Sequence, residues 1–349
     1  MRFTENPRGR AQWYALPKTY EHVHNFGEVW RPVSNPFPAG RHSRCKNLAH
    51  ELFFAECELL HTSDRRRLFG CGRVRPKAGL MRIVQISDTH LSPDKPNFVR
   101  NWAPLAAWIA DQHPDLVIHT GDVTADGAGV EADLSFSAQL MDELGSRWRA
   151  VPGNHDVGDP RHAHQPVNAE RLGAWQRHFG PDRWVEDIAE GAQHWRLVGL
   201  DVMLTGSGEP EEDEQALWLE RVMAEAGERR IAWFLHRPLF LEDPGEGDTG
   251  YWSVKPQPRG PLLALVRRHR VALVASGHLH KARDFAFEGT RYIWSPASSF
   301  LIGAPQPEMP GEKRLGAVLY ELDNATLTAR IAEVPGLTQH WWPSVAASP

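Results

Sequence analysis

Five short apolar runs each end in a turn carrying Asp, Asn or His, and this pattern constrains the fold more than any other. Residues 83–87 lead into Asp88-Thr89-His90, residues 116–119 into Gly121-Asp122, and residues 150–151 into Gly153-Asn154-His155-Asp156. Residues 231–235 lead into His236, and residues 271–276 into Gly277-His278-Leu279-His280. Apolar runs of this length, bounded by glycine-bearing turns, read as buried strands. Helical spacing separates them at residues 98–112, 134–144, 214–226 and 262–269, with Leu217, Val222 and Met223 expected as the inner stripe of the third. Strand, helix, strand at intervals of roughly 30 residues is the βαβ rhythm of an α/β protein. Another strand is expected at residues 195–202. Beyond His280 the pattern becomes hairpin-like, at residues 284–294 around Gly289-Thr290 and at residues 316–332 around Asn324.

In α/β sheets, ligands bind in the crevice beyond the carboxyl ends of the strands. Five such ends converge here with metal-ligating residue types. All three cysteines, Cys45, Cys57 and Cys71, precede residue 80, so a metal site further along must use nitrogen and oxygen donors. Imidazole and carboxylate together suit divalent Mn, Fe or Zn, whereas an all-oxygen set would suit Mg or Ca. Asp88, His90, Asp122, Asn154, His236, His278 and His280 make two sites of four if one carboxylate is shared. The ions would then sit about 3.5–4 Å apart, as in two-metal hydrolytic sites. Glycines 121, 153 and 277 precede ligands, as expected of turns that bring backbone close to ions. Two carboxylates and a bridging hydroxide offset most of the charge of two divalent ions. The residual positive charge suits an anionic phosphate ester, and the ions would supply hydroxide near neutral pH for in-line attack on phosphorus.

The ordered set Asp88-x-His90, Gly121-Asp122, Gly153-Asn154-His155-Asp156, His236 and Gly277-His278-x-His280 resembles the signature of the calcineurin-like metallophosphoesterase superfamily, over roughly residues 81–300. The resemblance implies two mixed β-sheets packed as a sandwich with flanking helices, a four-layer α/β fold. It implies that Asp88, His90 and His280 bind one metal, that Asn154, His236 and His278 bind the other, and that Asp122 bridges them. It further implies that His155 touches the phosphate and protonates the leaving oxygen, with Asp156 orienting its ring. Gln215-x-x-Trp218-Leu219, His236-Arg237-Pro238 and the stretch Ser295-Pro296-Ala297-Ser298-Ser299-Phe300 are similar to the branch of class III cyclic-nucleotide and glycerophosphodiester phosphodiesterases. Many members of that branch carry a second His where Arg237 stands, which leaves the ligand intact but bears on the substrate contacts. The expected substrate is a small phosphodiester. A phosphomonoesterase, including a protein phosphatase, is the alternative, and a non-catalytic scaffold of the same fold would be expected to have lost ligands.

The first 80 residues differ from the rest. They hold 14 Lys+Arg against 7 Asp+Glu, while residues 81–349 hold 25 against 37. Apart from a helix-like stretch at 48–60 they lack periodicity, and we expect a poorly patterned basic extension before a catalytic domain at 81–335 and a tail at 336–349. The net charge of −5 argues against a nucleic-acid partner. No run approaches the 18 apolar residues of a membrane span and no secretory leader opens the chain, so a cytoplasmic, membrane-free protein is expected. Away from the cluster, His119 is expected in the core, Asp126 in a turn, and His162, His164 and His178 at the surface. Trp252 is the candidate for stacking on a substrate ring, and the acidic runs at 209–214 and 242–248 are expected to form solvated loops.

Overall fold

The computed structural model describes residues 80–188, 194–323 and 326–343. The basic extension before Leu80, with its three cysteines and the stretch at 48–60, lies outside the described residues. So do Asn324 and residues 344–349.

The first strand, β1 (Met81–Ile86), alternates between two environments. Met81 and Ile83 enter one apolar cluster and Val84 and Ile86 another, as the period of two requires. The expected helix at 98–112 is split into a four-residue turn, α1 (Pro96–Val99), and α2 (Trp102–Gln112). Strand β2 (Leu116–His119) matches its expected bounds. Helix α3 (Glu131–Asp142) starts three residues early, with Glu131 and Asp133 in its first turn, where acidic side chains complement the helix dipole. After β3 (Trp148–Ala150), the Asn-His-Asp motif itself forms a helical turn, α4 (Asn154–Val157). Helix α5 (Ala169–Phe179) and strand β4 (Trp184–Ile188) then lie in a stretch to which the sequence pattern assigned neither helix nor strand.

Strand β5 (Trp195–Leu200) is followed by α6 (Pro210–Ala224). This corrects two expectations. Glu211, Glu212 and Asp213 form the first turn of α6 rather than a solvated loop. Leu217 is 73% exposed, and the buried stripe is Gln215, Leu219, Val222 and Met223. Strand β6 (Arg230–Leu235) leads through a long loop to α7 (Pro256–Arg268), which begins six residues before its expected start. The Pro256 start explains the shift, since proline lacks the N–H that the first helical position would leave unpaired. Strands β7 (Leu273–Ser276), β8 (Arg283–Phe287), β9 (Thr290–Trp294), β10 (Phe300–Ile302), β11 (Ala317–Leu322), β12 (Leu327–Ala332) and β13 (His340–Trp342) complete the described chain. Strand β13 lies in the expected tail, where Phe300, Leu301 and Ile302 pair in parallel with His340, Trp341 and Trp342.

Among the described residues the larger strands form two mixed sheets, ordered β12-β11-β1-β2-β3 and β4-β5-β6-β7-β9-β8. The strands that carry the motifs, β1, β2 and β3 in one sheet and β6 and β7 in the other, pair in parallel. Their carboxyl ends therefore point the same way within each sheet. The inner faces meet in a core containing Ile83, Leu116, Ile118, Trp195, Leu197, Phe234, Ala275 and Tyr320. The outer faces pack against helical side chains such as Leu105, Ile109, Leu134, Leu219 and Val266. Two sheets face to face with helices outside are the expected four layers. Buried Gln85 ties the sheets near the motif-bearing ends: its amide donates to Thr120 Oγ1 and to the Ser276 carbonyl, and its oxygen accepts from the Tyr320 hydroxyl. No helix among the described residues is long and apolar enough to cross a membrane.

Candidate metal centre

The turns that carry the motifs have unusual backbone. Eight non-glycine described residues have positive φ, and five of them are Asp88, His90, Asp122, His278 and His280. This left-handed conformation is uncommon for side-chain-bearing residues and concentrates at functional sites. Neighbouring turns hold it in place: Asp88 N–H donates to the Gly121 carbonyl, His90 N–H to Asp122, and Gly277 N–H to His236. The glycines make room for this approach. A Cβ on Gly153 would lie 2.2 Å from Asp122 Oδ1, and one on Gly277 would lie 1.8 Å from Ser87 Oγ and 2.7 Å from Asp88 Oδ2.

All seven expected ligands are buried and converge. Within each of the groups Asp88–His90–His280, Asp122–His236–His278 and His90–Asp122–His155, the candidate ligand atoms lie within 4.8 Å of one another. His90 Nε2 and His280 Nε2 are 3.3 Å apart, His280 Nε2 is 3.5 Å from Asp88 Oδ1, and His278 Nδ1 is 3.1 Å from His236 Nε2. Asn154 presents Oδ1, 3.2 Å from His236 Nε2. Asp122 joins the groups, because Oδ1 accepts the His155 N–H while Oδ2 lies 3.8 Å from His90 and 3.3 Å from His236.

The outward-facing ring nitrogens decide what these rings can do. His236 Nδ1 lies 2.8 Å from the Thr120 carbonyl, His280 Nδ1 lies 2.7 Å from Phe300, and His278 Nε2 lies 2.9 Å from Tyr251. A carbonyl only accepts, so each of these nitrogens carries a proton, and a neutral ring aims its lone pair at the centre. Lone pairs, carboxylates and an amide oxygen converging on one buried volume repel one another unless a cation lies among them. Backbone carbonyls that fix the tautomer in this way are the usual support of metal-ligating histidines. The donor set fits a transition-metal dication.

Electrostatics keep the rings of His90, His278 and His280 neutral, whereas the two carboxylates hold His236 charged. Burial pushes the Asp88 carboxyl up to about 7, with Asp122 adding to it and the charge of His236 opposing it. Burial would raise Asp122 as well, but the charges of His236, His155 and His90 hold it well below the usual carboxylate range. Burial works against a charged His236, yet Asp122 and Asp88 raise it to about 9. Burial lowers His90 and His278 well below the ordinary imidazole value, and lowers His280 to about 4. Neutral imidazole is the form that ligates a metal, so His236 would have to release a proton to do so.

His155 lies at the edge of the cluster, its ring edge-on to His90 at 4.7 Å. Its Nδ1 donates to the Ala125 carbonyl at 2.7 Å, so Ala125 and not Asp156 orients the ring. Fully buried Asp156 instead accepts from the N–H groups of Val123, Thr124 and Gly153 and from the Thr124 hydroxyl, binding its own turn to the one bearing Asp122. Trp252 is a further correction: it is 4% exposed and packs edge-on against Tyr251 at 5.2 Å, so no substrate ring stacks on it. Arg237 is buried in an ion pair with Asp159, which its positive charge holds below the usual range against the effect of burial. Glu246, expected in a solvated loop, instead accepts the N–H groups of Leu241 and Glu242. His119 is a core residue bonded to Thr89, and burial lowers it to about 3. Asp126 accepts turn N–H groups from Gly129 and Val130, His164 is exposed, and His162 and His178 are half-buried. Sequence reasoning did not find Tyr251, which touches both Asn154 and His278.

The chain is similar to several known proteins. The family model of calcineurin-like phosphoesterases matches residues 81–282. A probable glycerophosphodiester phosphodiesterase of Arcobacter nitrofigilis is 24% identical over 279 residues, covering 75% of this chain and 89% of that protein. The 3′,5′-cyclic adenosine monophosphate phosphodiesterase of Escherichia coli K12 is 29% identical over 244 residues, covering 62% of this chain and 76% of its own. A purple acid phosphatase from yellow lupin (Lupinus luteus) seeds superposes with a TM-score of 0.54 at 15% identity, covering 78% of this chain and 56% of the other, a likeness of fold. With the family model spanning more than half its length, the chain belongs to the calcineurin-like phosphoesterases.

Proposed function

We propose that residues 81–335 form a dinuclear metal-dependent phosphodiesterase acting on a small diester of the cyclic-nucleotide or glycerophosphodiester class. The observation that carries the reading is the set of imidazole lone pairs, each fixed inward by a carbonyl behind the ring, facing two buried carboxylates. Asp88, His90 and His280 would hold one ion and Asn154, His236 and His278 the second, with Asp122 serving both. When bound, two ions of Mn, Fe or Zn supply hydroxide at neutral pH and offset the charge that builds on the phosphoryl group. The chain's own residues do the rest. The Ala125 carbonyl holds the His155 ring so that its other nitrogen can give a proton to the leaving oxygen. Asp156 acts indirectly, by fixing the turn on which His155 and Asn154 stand. The diester preference is supported by the phosphodiesterase names of the relatives above.

The test is turnover of bis(p-nitrophenyl) phosphate against p-nitrophenyl phosphate by protein loaded with Mn, Fe or Zn. We expect the diester to be preferred and Asp122→Ala to abolish turnover with the fold retained. Preference for the monoester overturns the substrate class. Wild-type turnover in the Ala variant overturns the site.

A further inference from the structure

Tyr251 lies in a short turn (Gly250–Trp252) within the loop between β6 and α7. The loop is anchored on both sides of it. The Asp248 carboxylate accepts the Gly250 N–H at 2.9 Å and pairs with Arg161 at 2.9 Å, and the hydroxyls of Thr249 and Ser253 are 2.6 Å apart. From this support the Tyr251 phenol oxygen lies 3.0 Å from Asn154 Nδ2, while its main-chain carbonyl lies 2.9 Å from His278 Nε2. Its ring tilts against His278 at 4.6 Å, and the Arg237 guanidinium sits 5.3 Å from the ring centroid on its face.

Both partners face a choice that Tyr251 resolves. An amide can turn over at little cost in torsion, and only its hydrogen-bond partners decide whether oxygen or nitrogen points inward. With Oδ1 of Asn154 near His236, the amide nitrogen needs an acceptor on the far side, and the phenol oxygen is placed there. His278 differs from His236 and His280 in turning Nδ1, not Nε2, toward the centre. That inversion requires an acceptor for Nε2–H, and the Tyr251 carbonyl supplies it.

We infer that Tyr251 is the positioning residue of the second metal position, its side chain selecting the amide face of Asn154 and its main chain the tautomer of His278. The inference rests on the dinuclear reading proposed above. Tyr251→Phe keeps the ring and the carbonyl and removes only the phenol oxygen. Metal-free full-length protein is titrated with Mn²⁺ by calorimetry. The wild type takes up two equivalents. In Tyr251→Phe one equivalent binds about tenfold more weakly, as for other outer partners of metal ligands. The other equivalent and the melting temperature of the metal-free protein stay unchanged. In an Asn154→Ala background the Phe substitution has no further effect on Mn²⁺ binding, since partners in one interaction are not additive. Two equivalents at wild-type affinity in Tyr251→Phe overturn the role of Tyr251 and leave the dinuclear reading standing. Equal weakening of both equivalents, weakening that persists without Asn154, or loss of the fold makes the residue merely structural and also overturns it. A wild type that binds fewer than two equivalents defeats the dinuclear reading itself, and the inference falls with it.

Discussion

A side chain in left-handed backbone gives up about 1–2 kcal/mol, and Asp88, His90, Asp122, His278 and His280 all do so within one cluster. Their turns tolerate this because adjacent turns hydrogen-bond through the backbone and glycine lets them touch. Gly277→Ala tests this arrangement. Its Cβ would press on Ser87 and Asp88, so we expect a loss of about 1–3 kcal/mol in stability, in the range of overpacked cores. Denaturant unfolding with and without the substitution measures it, and an unchanged midpoint refutes the packing argument. The ligands were legible in the sequence because each stands within a few residues of a strand end, so its position needs no knowledge of distant contacts. Tyr251 was not, because its partners lie 97 and 27 residues away. It was passed over for its neighbour Trp252, since composition cannot say which of two adjacent aromatics in a turn faces the site and which faces the core.

Elements were read best where burial was continuous, as in β2, and worst where amphipathicity was partial. Helix α5 did leave a trace: Asn168 accepts the Arg171 N–H as an N-cap, and Leu172, Trp175 and Phe179 recur at helical spacing. Strand β4, at the sheet edge, buries only Trp184 fully and reads as polar sequence. Helix α6 shows how an acidic run misleads, since such residues suit the first turn of a helix as well as a loop. At the carboxyl end of β5, Asp201 is buried with Oδ2 unpartnered, and burial, then the charge of Asp182, raises its carboxyl well above the usual value. A raised carboxyl binds its proton more tightly in the folded than in the unfolded chain. Stability from this group is therefore full below the unfolded value near 4 and falls as pH rises toward the folded one. We expect Asp201→Asn, which does not titrate, to gain on the wild type as pH goes from 4 to 8. Melting temperatures of both proteins at the two pH values check this, and a constant difference refutes it.

Across the whole molecule, the candidate ligands divide between the sheets. Asp88, His90, Asp122 and Asn154 follow strands of one, while His236, His278 and His280 follow strands of the other. Metals that bind only the folded chain stabilise it by mass action, about 2.7 kcal/mol at a hundredfold excess over the dissociation constant. For a domain of this size that corresponds to roughly 5–10 °C. We expect chelation by EDTA to lower the melting temperature by this amount and Mn²⁺ to restore it; an identical curve after both treatments contradicts a resident cation. The layered architecture was foreseeable only through the family resemblance of the ordered motifs, since the strand rhythm alone gave an α/β class compatible with it. The pairing of β10 with β13 was not, because a three-residue strand has too little pattern to announce itself. The carbonyl behind His280 comes from Phe300, some 212 residues after Asp88 supplies its carboxylate. No fragment released early from a ribosome can assemble the pocket, so the nascent polypeptide must carry its separated halves unliganded until nearly the entire domain has emerged.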